Sequence, residues 1–324
     1  MTREDILRKL DSYRDAARRG VQWLISRQNP DGSFIREDLQ ADVYHKGTYA
    51  LSVAGHALEA HRLVNWIKAE GLGADGRPRH FDPGLALYKT SWICQGAHRL
   101  GRFDVSYPVM DYILGCQAPG GGFFQVAEGN EYVESLCTGW AGVSCLYLGE
   151  LTAADRCAAH LVSQVGQQPT TGRFYFRTSA EGELLCDGAD ELAQFVDGAQ
   201  PGQGYYFPGM ACLFLCRYHQ VTGNADSLEA AKWLFEASLT WAADSYASPP
   251  SGKSALGAAV YYAITGDERA RDAALEFADY MTARQRPEGA WDNPASDSEI
   301  VLLDHTAEMI VWLSEIAATL GGLA

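Results

Sequence analysis

The last apolar segment of the sequence contains an Asp-His pair, followed one helical turn later by a glutamate. Asp304 and Glu308 are four residues apart, so on a helix they share one face, and His305 lies beside Asp304. Titratable groups inside an apolar helix are costly unless they are satisfied. Histidine suits proton transfer because its ordinary pKa lies near neutrality. We therefore predict that His305 and Asp304 are catalytic and that Glu308 binds substrate; the alternative is a buried histidine bonded to a backbone carbonyl.

A second polar group begins an earlier helix. Asp42 is followed by Tyr44 and His45. In the functional interpretation His45 is a general acid or base and Tyr44 is a hydrogen-bond donor to substrate. In the structural interpretation Asp42 caps the helix and the others form its polar end. The remaining histidines are predicted to be structural because they fall late on helices or in loops: His56, His61, His80, His98, His160 and His219.

Aromatic and acidic residues begin several other predicted helices. Tyr88 and Trp92 could form an aromatic wall of the cavity. Tyr205 and Tyr206 could stack on a substrate or stabilise a cation, although packing is an equal alternative for these two. Glu134 is a further candidate for substrate binding. An acid in the first turn of a helix also interacts favourably with the helix dipole without any catalytic role.

One irregular segment is unusually rich in carboxylates. Residues 172–186 alternate around an Ala-Glu-Gly turn and predict a small β-hairpin. The acidic, Gly-rich stretch that follows contains Asp187, Asp190, Glu191 and Asp197. Carboxylates held close together push one another's pKa values apart, which can create an acid and a base. We predict a catalytic role for Asp197; the alternative is a solvated acidic loop.

The rest of the sequence is dominated by an apolar period of 3.6 residues, which predicts about twelve helices joined by Gly- and Pro-rich turns. Helices rich in small apolar residues alternate with charged, amphipathic helices. The first kind is typical of helices buried on most sides, and the second of helices that cover a core. The alternation predicts an inner layer of helices wrapped by an outer layer.

A short motif recurs three times, with the pattern Q-x-P-x-G-x-[F/W], at Gln28–Phe34, Gln117–Phe123 and Gln285–Trp291. Proline ends the preceding helix, glycine permits a positive φ in the turn, and the aromatic residue folds back onto the layer beneath. These copies resemble the QW-type repeats of the terpenoid cyclase/protein prenyltransferase superfamily. The resemblance implies an all-α (α/α)6 toroid, a double ring of about twelve helices, as a single domain over residues 1–324.

The chemical motifs of that superfamily are missing. The sequence has neither the D-x-D-D acid of class II cyclases nor the D-D-x-x-D magnesium motif of class I enzymes. The zinc-binding D-x-C of protein prenyltransferases would correspond to Asp197 with Ala199 at the cysteine position. We therefore predict neither a metal nor a cofactor. The same toroid also serves sugar epimerases, uronyl hydrolases and polysaccharide lyases.

Composition excludes several function classes. The formal net charge of −15 disfavours nucleic acid and anionic lipid as partners. No apolar run approaches the roughly 18 residues of a membrane span. The first twenty residues mix charges of both signs and lack the apolar core of a signal peptide, which predicts a cytoplasmic protein with its eight cysteines reduced.

Three functions remain open. The first is a metal-independent cyclase or isomerase that uses acid–base residues in a central cavity on an apolar, terpenoid- or polyene-like small molecule. The second is a sugar-active toroid enzyme, such as a uronyl hydrolase, epimerase or lyase, in which Lys46, Lys89 and Lys253 could pair with a uronate. The third is a toroid that binds a small molecule without catalysis. The sequence does not indicate the oligomeric state.

Overall fold

The chain is almost entirely helical in the regions that the structure describes. The computed structural model describes residues 2–35, 40–80, 85–128, 130–186, 192–292, 296 and 298–323. Within these ranges there are twelve α-helices: α1 Arg3–Arg27, α2 Gly47–Val53, α3 Ala57–Trp66, α4 Ala86–Arg99, α5 Phe103–Gly115, α6 Ser135–Leu148, α7 Leu151–Gly166, α8 Tyr206–Thr222, α9 Ala225–Ser238, α10 Gly252–Thr265, α11 Glu268–Ala283 and α12 Glu299–Gly321. The predicted all-α class is confirmed.

The chain divides into two compact units. Unit 1 comprises Met1–Ile113 and Ala278–Ala324, and unit 2 comprises Leu114–Phe277. The prediction of a single domain over residues 1–324 stays a prediction. No helix in the described ranges has the combination of length and apolar composition that a membrane crossing requires.

In unit 1 the first and last helices of the chain pack against each other. Helix α1 lies along α12, and α2 packs between α12 and α4. Helix α1 is amphipathic, and its buried face includes Tyr13, Ala17 and Leu24. Trp92 of α4 and Trp312 of α12 are fully buried with their ring centroids 5.4 Å apart. Two large aromatic side chains in contact therefore form part of the core of unit 1.

Unit 2 is organised around α8, which packs against α6, α9 and α10. Helices α6, α8 and α10 are buried over most of their length, as their small-residue-rich sequences predict. Gly209 shows why small residues are needed there. A Cβ at Gly209 would lie 2.4 Å from the backbone nitrogen of Ser254, so only glycine lets α8 and α10 approach this closely.

The three motif copies have the same local structure. In the first copy the Gln28 amide donates to the carbonyl of Gly32 within the turn and to the carbonyl of Glu59 on α3. Gln117 and Gln285 make the equivalent pair of bonds. The turn glycine has φ near +100° in each copy, and a Cβ there would collide with a neighbouring backbone. The motif therefore fastens one helix pair to the next by main-chain contacts, with its aromatic residue buried.

The β-structure predicted near residues 172–186 is confirmed in unit 2. The described residues form four short strands: β1 Val133–Glu134, β2 Arg173–Tyr175, β3 Arg177–Thr178 and β4 Phe195–Asp197. β1 pairs antiparallel with β3, and β2 pairs antiparallel with β4. The expected Ala-Glu-Gly turn is present, because Thr178 bridges to Leu184 across Gly182, whose φ is +100°. The pairing of β1 with β3 joins the start of α6 to this region.

Candidate functional site

The Asp304–Glu308 pair of α12 is held by a buried lysine. Lys46, immediately before α2, places its Nζ 2.7 Å from Asp304 Oδ2 and 2.6 Å from Glu308 Oε2. Burial alone would lower the pKa of Lys46, but the charges of Asp304 and Glu308 hold it well above its ordinary value. The lysine therefore stays charged and fixes one oxygen of each carboxylate. The predicted shared face of Asp304 and Glu308 is present.

His45 lies beside this ion pair and is only 1% exposed. A short 3-10 turn, Ala41–Val43, brings the Ala41 carbonyl to 2.8 Å from His45 Nδ1. A carbonyl only accepts, so Nδ1 carries the proton and Nε2 carries a lone pair. Burial, together with the charge of Lys46, lowers the pKa of His45 to about 3. The ring is therefore neutral near pH 7.

The lone pair of His45 has no hydrogen-bond partner among the residues that the structure describes. Its Nε2 lies 3.7 Å from Asp304 Oδ1, which also lacks one. Buried polar atoms in native proteins are normally satisfied, and exceptions often have a functional cause. Two buried acceptor atoms therefore face each other across a gap that is longer than a hydrogen bond.

Asp42 and Lys89 complete the group. Lys89 of α4 donates to Asp42 Oδ2 at 2.8 Å. Asp42 therefore pairs with a lysine and makes no side-chain cap, which was the other role that its sequence position left open. Asp42, His45 and Asp304 each offer one possible ligand atom, and these atoms lie within 4.8 Å of one another. We call the set defined by Asp42, His45, Lys46, Lys89, Asp304 and Glu308 the Lys46 cluster.

Aromatic rings pack against the Lys46 cluster. The Tyr88 ring meets His45 edge-on at 6.2 Å and Trp92 at the same centroid distance. Trp312 donates from its Nε1 to Glu308 Oε1 at 3.0 Å. These contacts surround the ionic groups with low-dielectric material, which strengthens their electrostatic interactions. Of the predicted aromatic wall, Tyr88 thus contacts the cluster directly.

Two further residues predicted for this site, Tyr44 and His305, are not members of the Lys46 cluster. Tyr44 packs edge-on against Trp66 at 5.1 Å, and its hydroxyl is buried against Gly71. His305 is adjacent to Asp304, but successive helical residues point about 100° apart. Its nitrogens are not in the group of possible ligand atoms formed by Asp42, His45 and Asp304.

The remaining predicted residues belong to unit 2. Glu134 is buried, accepting from Gln125 at 2.9 Å and pairing with Arg177 at 3.2 Å. Burial raises the pKa of Glu134, opposed by the Arg177 charge and by these hydrogen bonds. The Arg177 guanidinium in turn lies over the Tyr132 ring, 3.8 Å from its centroid. Both carboxylate oxygens of Glu134 are therefore satisfied. We call these four residues the Glu134 cluster.

The other candidates in unit 2 make mainly structural contacts. Tyr205 is buried and donates to Asp244 at 2.7 Å. Tyr206 is half-buried, with the Lys253 ammonium 5.7 Å from its ring centroid. Asp197 accepts from the Ala199 backbone in a turn and lies 3.6 Å from Arg173. Asp187, Asp190 and Glu191 lie outside the described residues.

Sequence analysis did not place Asp42, Lys46 and Lys89 in the site of a cyclase or isomerase. Asp42 was a possible helix cap, and the two lysines were possible partners of a uronate in the sugar-active alternative. The signal that could have found them is the echo between Lys46-Gly-Thr48-Tyr49 and Lys89-Thr-Ser91-Trp92. It places one lysine at equivalent positions of two successive buried helices. Two lysines in apolar surroundings need carboxylate partners, because burial of an unpaired charge is very costly.

Solved structures of similar fold include enzymes of two chemical groups. No family model matches the sequence, and no curated protein matches it significantly. An α-1,6-mannanase, GH76A, from Salegentibacter sp. aligns with a TM-score of 0.67 and 12% identity, covering 95% of this chain and 99% of that chain. A type II terpene cyclase, MstE, from Scytonema aligns with a TM-score of 0.63 and 13% identity, covering 96% and 99%.

An unsaturated glucuronyl hydrolase specific for heparin is also similar, with a TM-score of 0.63, 12% identity and coverage of 95% of this chain and 97% of that chain. Identities this low carry the fold alone. The resemblance to the terpenoid cyclase superfamily is thus confirmed at the level of the fold. The chain has the α/α toroid fold, on which both terpene cyclases and sugar-active enzymes are built.

Proposed function

We propose that this chain is an enzyme of the isomerase or cyclase type that moves a proton of a small-molecule substrate at the Lys46 cluster. The observation that carries the proposal is the pair of buried acceptor atoms, His45 Nε2 and Asp304 Oδ1, which lie 3.7 Å apart. A substrate proton presented to this gap would meet an acceptor on either side.

Each residue has a role in this proposal. Asp304 Oδ1 takes a proton from the substrate and returns it at another atom, so no oxidant or reductant is needed. Lys46 donates to Asp304 Oδ2, which keeps the carboxylate oriented. His45 Nε2 accepts a hydrogen bond and orients the substrate. His45 is a poor base because its pKa is lowered to about 3.

The hydrogen bonding of Asp304 distinguishes two kinds of reaction that the Lys46 cluster could perform. A cyclase that begins by protonating a polyene needs a proton donor, whereas Asp304 accepts from Lys46 at Oδ2 and offers Oδ1 as a further acceptor. The Lys46 cluster therefore suits proton abstraction followed by reprotonation, which is isomerase chemistry. The aromatic ring of Tyr88 beside His45 supports an apolar, terpenoid-like substrate, because it places apolar surface next to the proton acceptor.

A second candidate is a sugar-active enzyme. It is favoured by the three carboxylates and two lysines of the Lys46 cluster, a polar set that could hold hydroxyl groups or a uronate. The mannanase and the glucuronyl hydrolase of similar fold make this class a natural comparison. In this alternative, Asp304 would act on a sugar carbon or on a water.

The test is a proton-exchange screen in D₂O. Two substrate panels are compared, one of prenylated aromatics and polyenes and one of mannosides and unsaturated uronides, and proton NMR follows the loss of substrate C–H signals. We expect exchange or turnover in the first panel. Asp304→Asn should lower the rate by roughly 10²–10⁴-fold, because it removes the proton acceptor and keeps the shape.

The matched control is Glu299→Gln, which changes a carboxylate on the same helix outside the Lys46 cluster. It should react like the unmodified protein. Turnover only in the sugar panel would replace the first candidate by the second. Full activity of Asp304→Asn would contradict both.

A further inference from the structure

We infer that Asp42, His45 and Asp304 form a binding site for one divalent transition-metal ion, with Zn²⁺ as the best match. This inference goes beyond the proposed function and does not depend on it. It revises the sequence prediction that the chain binds no metal. A histidine nitrogen with two carboxylate oxygens is a donor set suited to Zn²⁺, whereas Mg²⁺ and Ca²⁺ prefer oxygen alone.

The distances suit a small ion. The three possible ligand atoms lie within 4.8 Å of one another, and His45 Nε2 is 3.7 Å from Asp304 Oδ1. Two ligands that are each about 2.1 Å from a tetrahedral zinc ion lie roughly 3.4 Å apart. The gap between these two atoms is too long for a hydrogen bond and a few tenths of an ångström from a metal-bridged pair.

The hydrogen bonding of His45 is that of a metal-binding histidine. His45 is 1% exposed, its Nδ1 donates to the Ala41 carbonyl, and its Nε2 has no partner in the described part of the chain. Metal-bound histidines characteristically donate their other ring nitrogen to a carbonyl or a carboxylate in this way, which fixes the tautomer. An unpartnered, buried nitrogen aimed at two carboxylates is an observation independent of the acidic residues themselves.

The lysines orient the carboxylate ligands. Lys46 binds Asp304 Oδ2 and Lys89 binds Asp42 Oδ2, so each aspartate is anchored through one oxygen. The three carboxylates of the Lys46 cluster exceed its two ammonium groups by one charge, because His45 is neutral. The local field is therefore attractive to a cation overall, while the nearby ammonium groups weaken binding relative to a closed structural zinc site.

Three protein ligands leave at least one coordination position open, so a bound ion could polarise a substrate oxygen. The ion would also occupy His45 Nε2 and Asp304 Oδ1, the same two atoms as in the proposed proton transfer. The metal-bound and the proton-transferring states are thus alternatives for one site.

The test measures binding without any substrate. The full chain is stripped with a chelator, dialysed and titrated with ZnCl₂ by calorimetry; Co²⁺ then replaces Zn²⁺, and its visible absorption reports nitrogen and oxygen ligands. We expect one ion per chain. His45→Gln, Asp304→Asn and Asp42→Asn should each weaken binding at least tenfold, and Co²⁺ bands should be lost in His45→Gln.

The matched control is His160→Gln, which removes another buried histidine, one whose two nitrogens are both hydrogen-bonded. It should bind Zn²⁺ like the unmodified chain. Asp42 is the most exposed of the three proposed ligands, so the fold should tolerate Asp42→Asn best. Circular dichroism checks that each variant is folded.

Absence of binding at millimolar Zn²⁺, or unchanged affinity in both His45→Gln and Asp42→Asn, would overturn the site. Either result would leave the proposed proton transfer standing, since the exchange screen in D₂O is run without added metal ion. Failure of the exchange screen, conversely, does not affect the binding measurement.

Discussion

The two units each bury a histidine whose pKa is lowered by burial, and the two differ in one hydrogen bond. His160 in unit 2 donates from Nδ1 to the Gly120 carbonyl at 3.2 Å, and its Nε2 accepts from the Thr178 hydroxyl at 3.3 Å. His45 in unit 1 makes the first bond, to Ala41, while its Nε2 faces Asp304 Oδ1. A satisfied histidine holds structure, whereas an unsatisfied one beside carboxylates is prepared for a ligand.

The ionic groups of the two units differ in the same way. In the Glu134 cluster, Gln125 and Arg177 each satisfy one oxygen of a single carboxylate. In the Lys46 cluster, one lysine serves two carboxylates and leaves Asp304 Oδ1 without a hydrogen bond in the described chain. A hydrogen-bond network in which every polar atom is paired makes the structure rigid, whereas an unpaired buried oxygen can accept a bond from a ligand.

The largest expected effect on stability is that of removing the shared lysine. Lys46→Met leaves Asp304 and Glu308 buried side by side without a counter-charge, so the free energy of unfolding should fall by about 3–5 kcal/mol. Arg177→Met in unit 2 should cost less, because Gln125 still donates to Glu134. Urea denaturation of the two variants measures the difference. If Lys46→Met lost the same amount of unfolding free energy as Arg177→Met, or less, Lys46 would not contribute more to stability than Arg177 does.

Lowering the pH should have an intermediate effect on the free energy of unfolding. The folded-state pKa of His160 is lowered to about 4 from its ordinary value of 6.5, because burial disfavours the charged ring. Between these two pKa values, His160 is therefore protonated in the unfolded chain and neutral in the folded chain. The stability contribution of neutral His160 is complete above pH 6.5 and is lost as the pH falls from 6.5 to 4, by roughly 3 kcal/mol in total.

Urea denaturation of the unmodified chain and of His160→Gln across this pH range tests whether the stability contribution of His160 falls as the pH falls. The difference in unfolding free energy between the two proteins should be largest near pH 7 and shrink toward pH 4. A difference that stays constant with pH would show that His160 is not held neutral by the fold.

The smallest effect concerns the Glu134 cluster. Gln125→Ala removes one of the two donors to the buried Glu134 carboxylate and should cost about 1 kcal/mol of stability, because Arg177 remains. If the cluster is structural, as its saturation indicates, proton exchange with substrate should be unchanged in this variant. Loss of exchange with unchanged stability would move the functional site toward unit 2.

Local features were predictable because neighbouring residues dictate them. The Q-x-P-x-G-x-[F/W] copies fold alike, since proline, a glycine with positive φ and a glutamine that bonds within its own turn act over seven residues. The turn at Gly182 and the shared face of Asp304 and Glu308 follow from the same short-range rules. The pairing of β1 with β3 and of β2 with β4 was not readable, because the partners are up to 45 residues apart.

The sequence by itself determined the helices, the turns that separate them and which residue types could carry charge into the interior. Only the tertiary structure decided which charges meet. Lys46 and Asp304 are 258 positions apart in the chain, and they come together because α2 packs against α12. That packing also places His45 where its Nε2 faces Asp304 Oδ1, a contact that the sequence pattern did not reveal. Periodicity specifies the face of a helix, but the partner of that face is set by the packing of the whole fold.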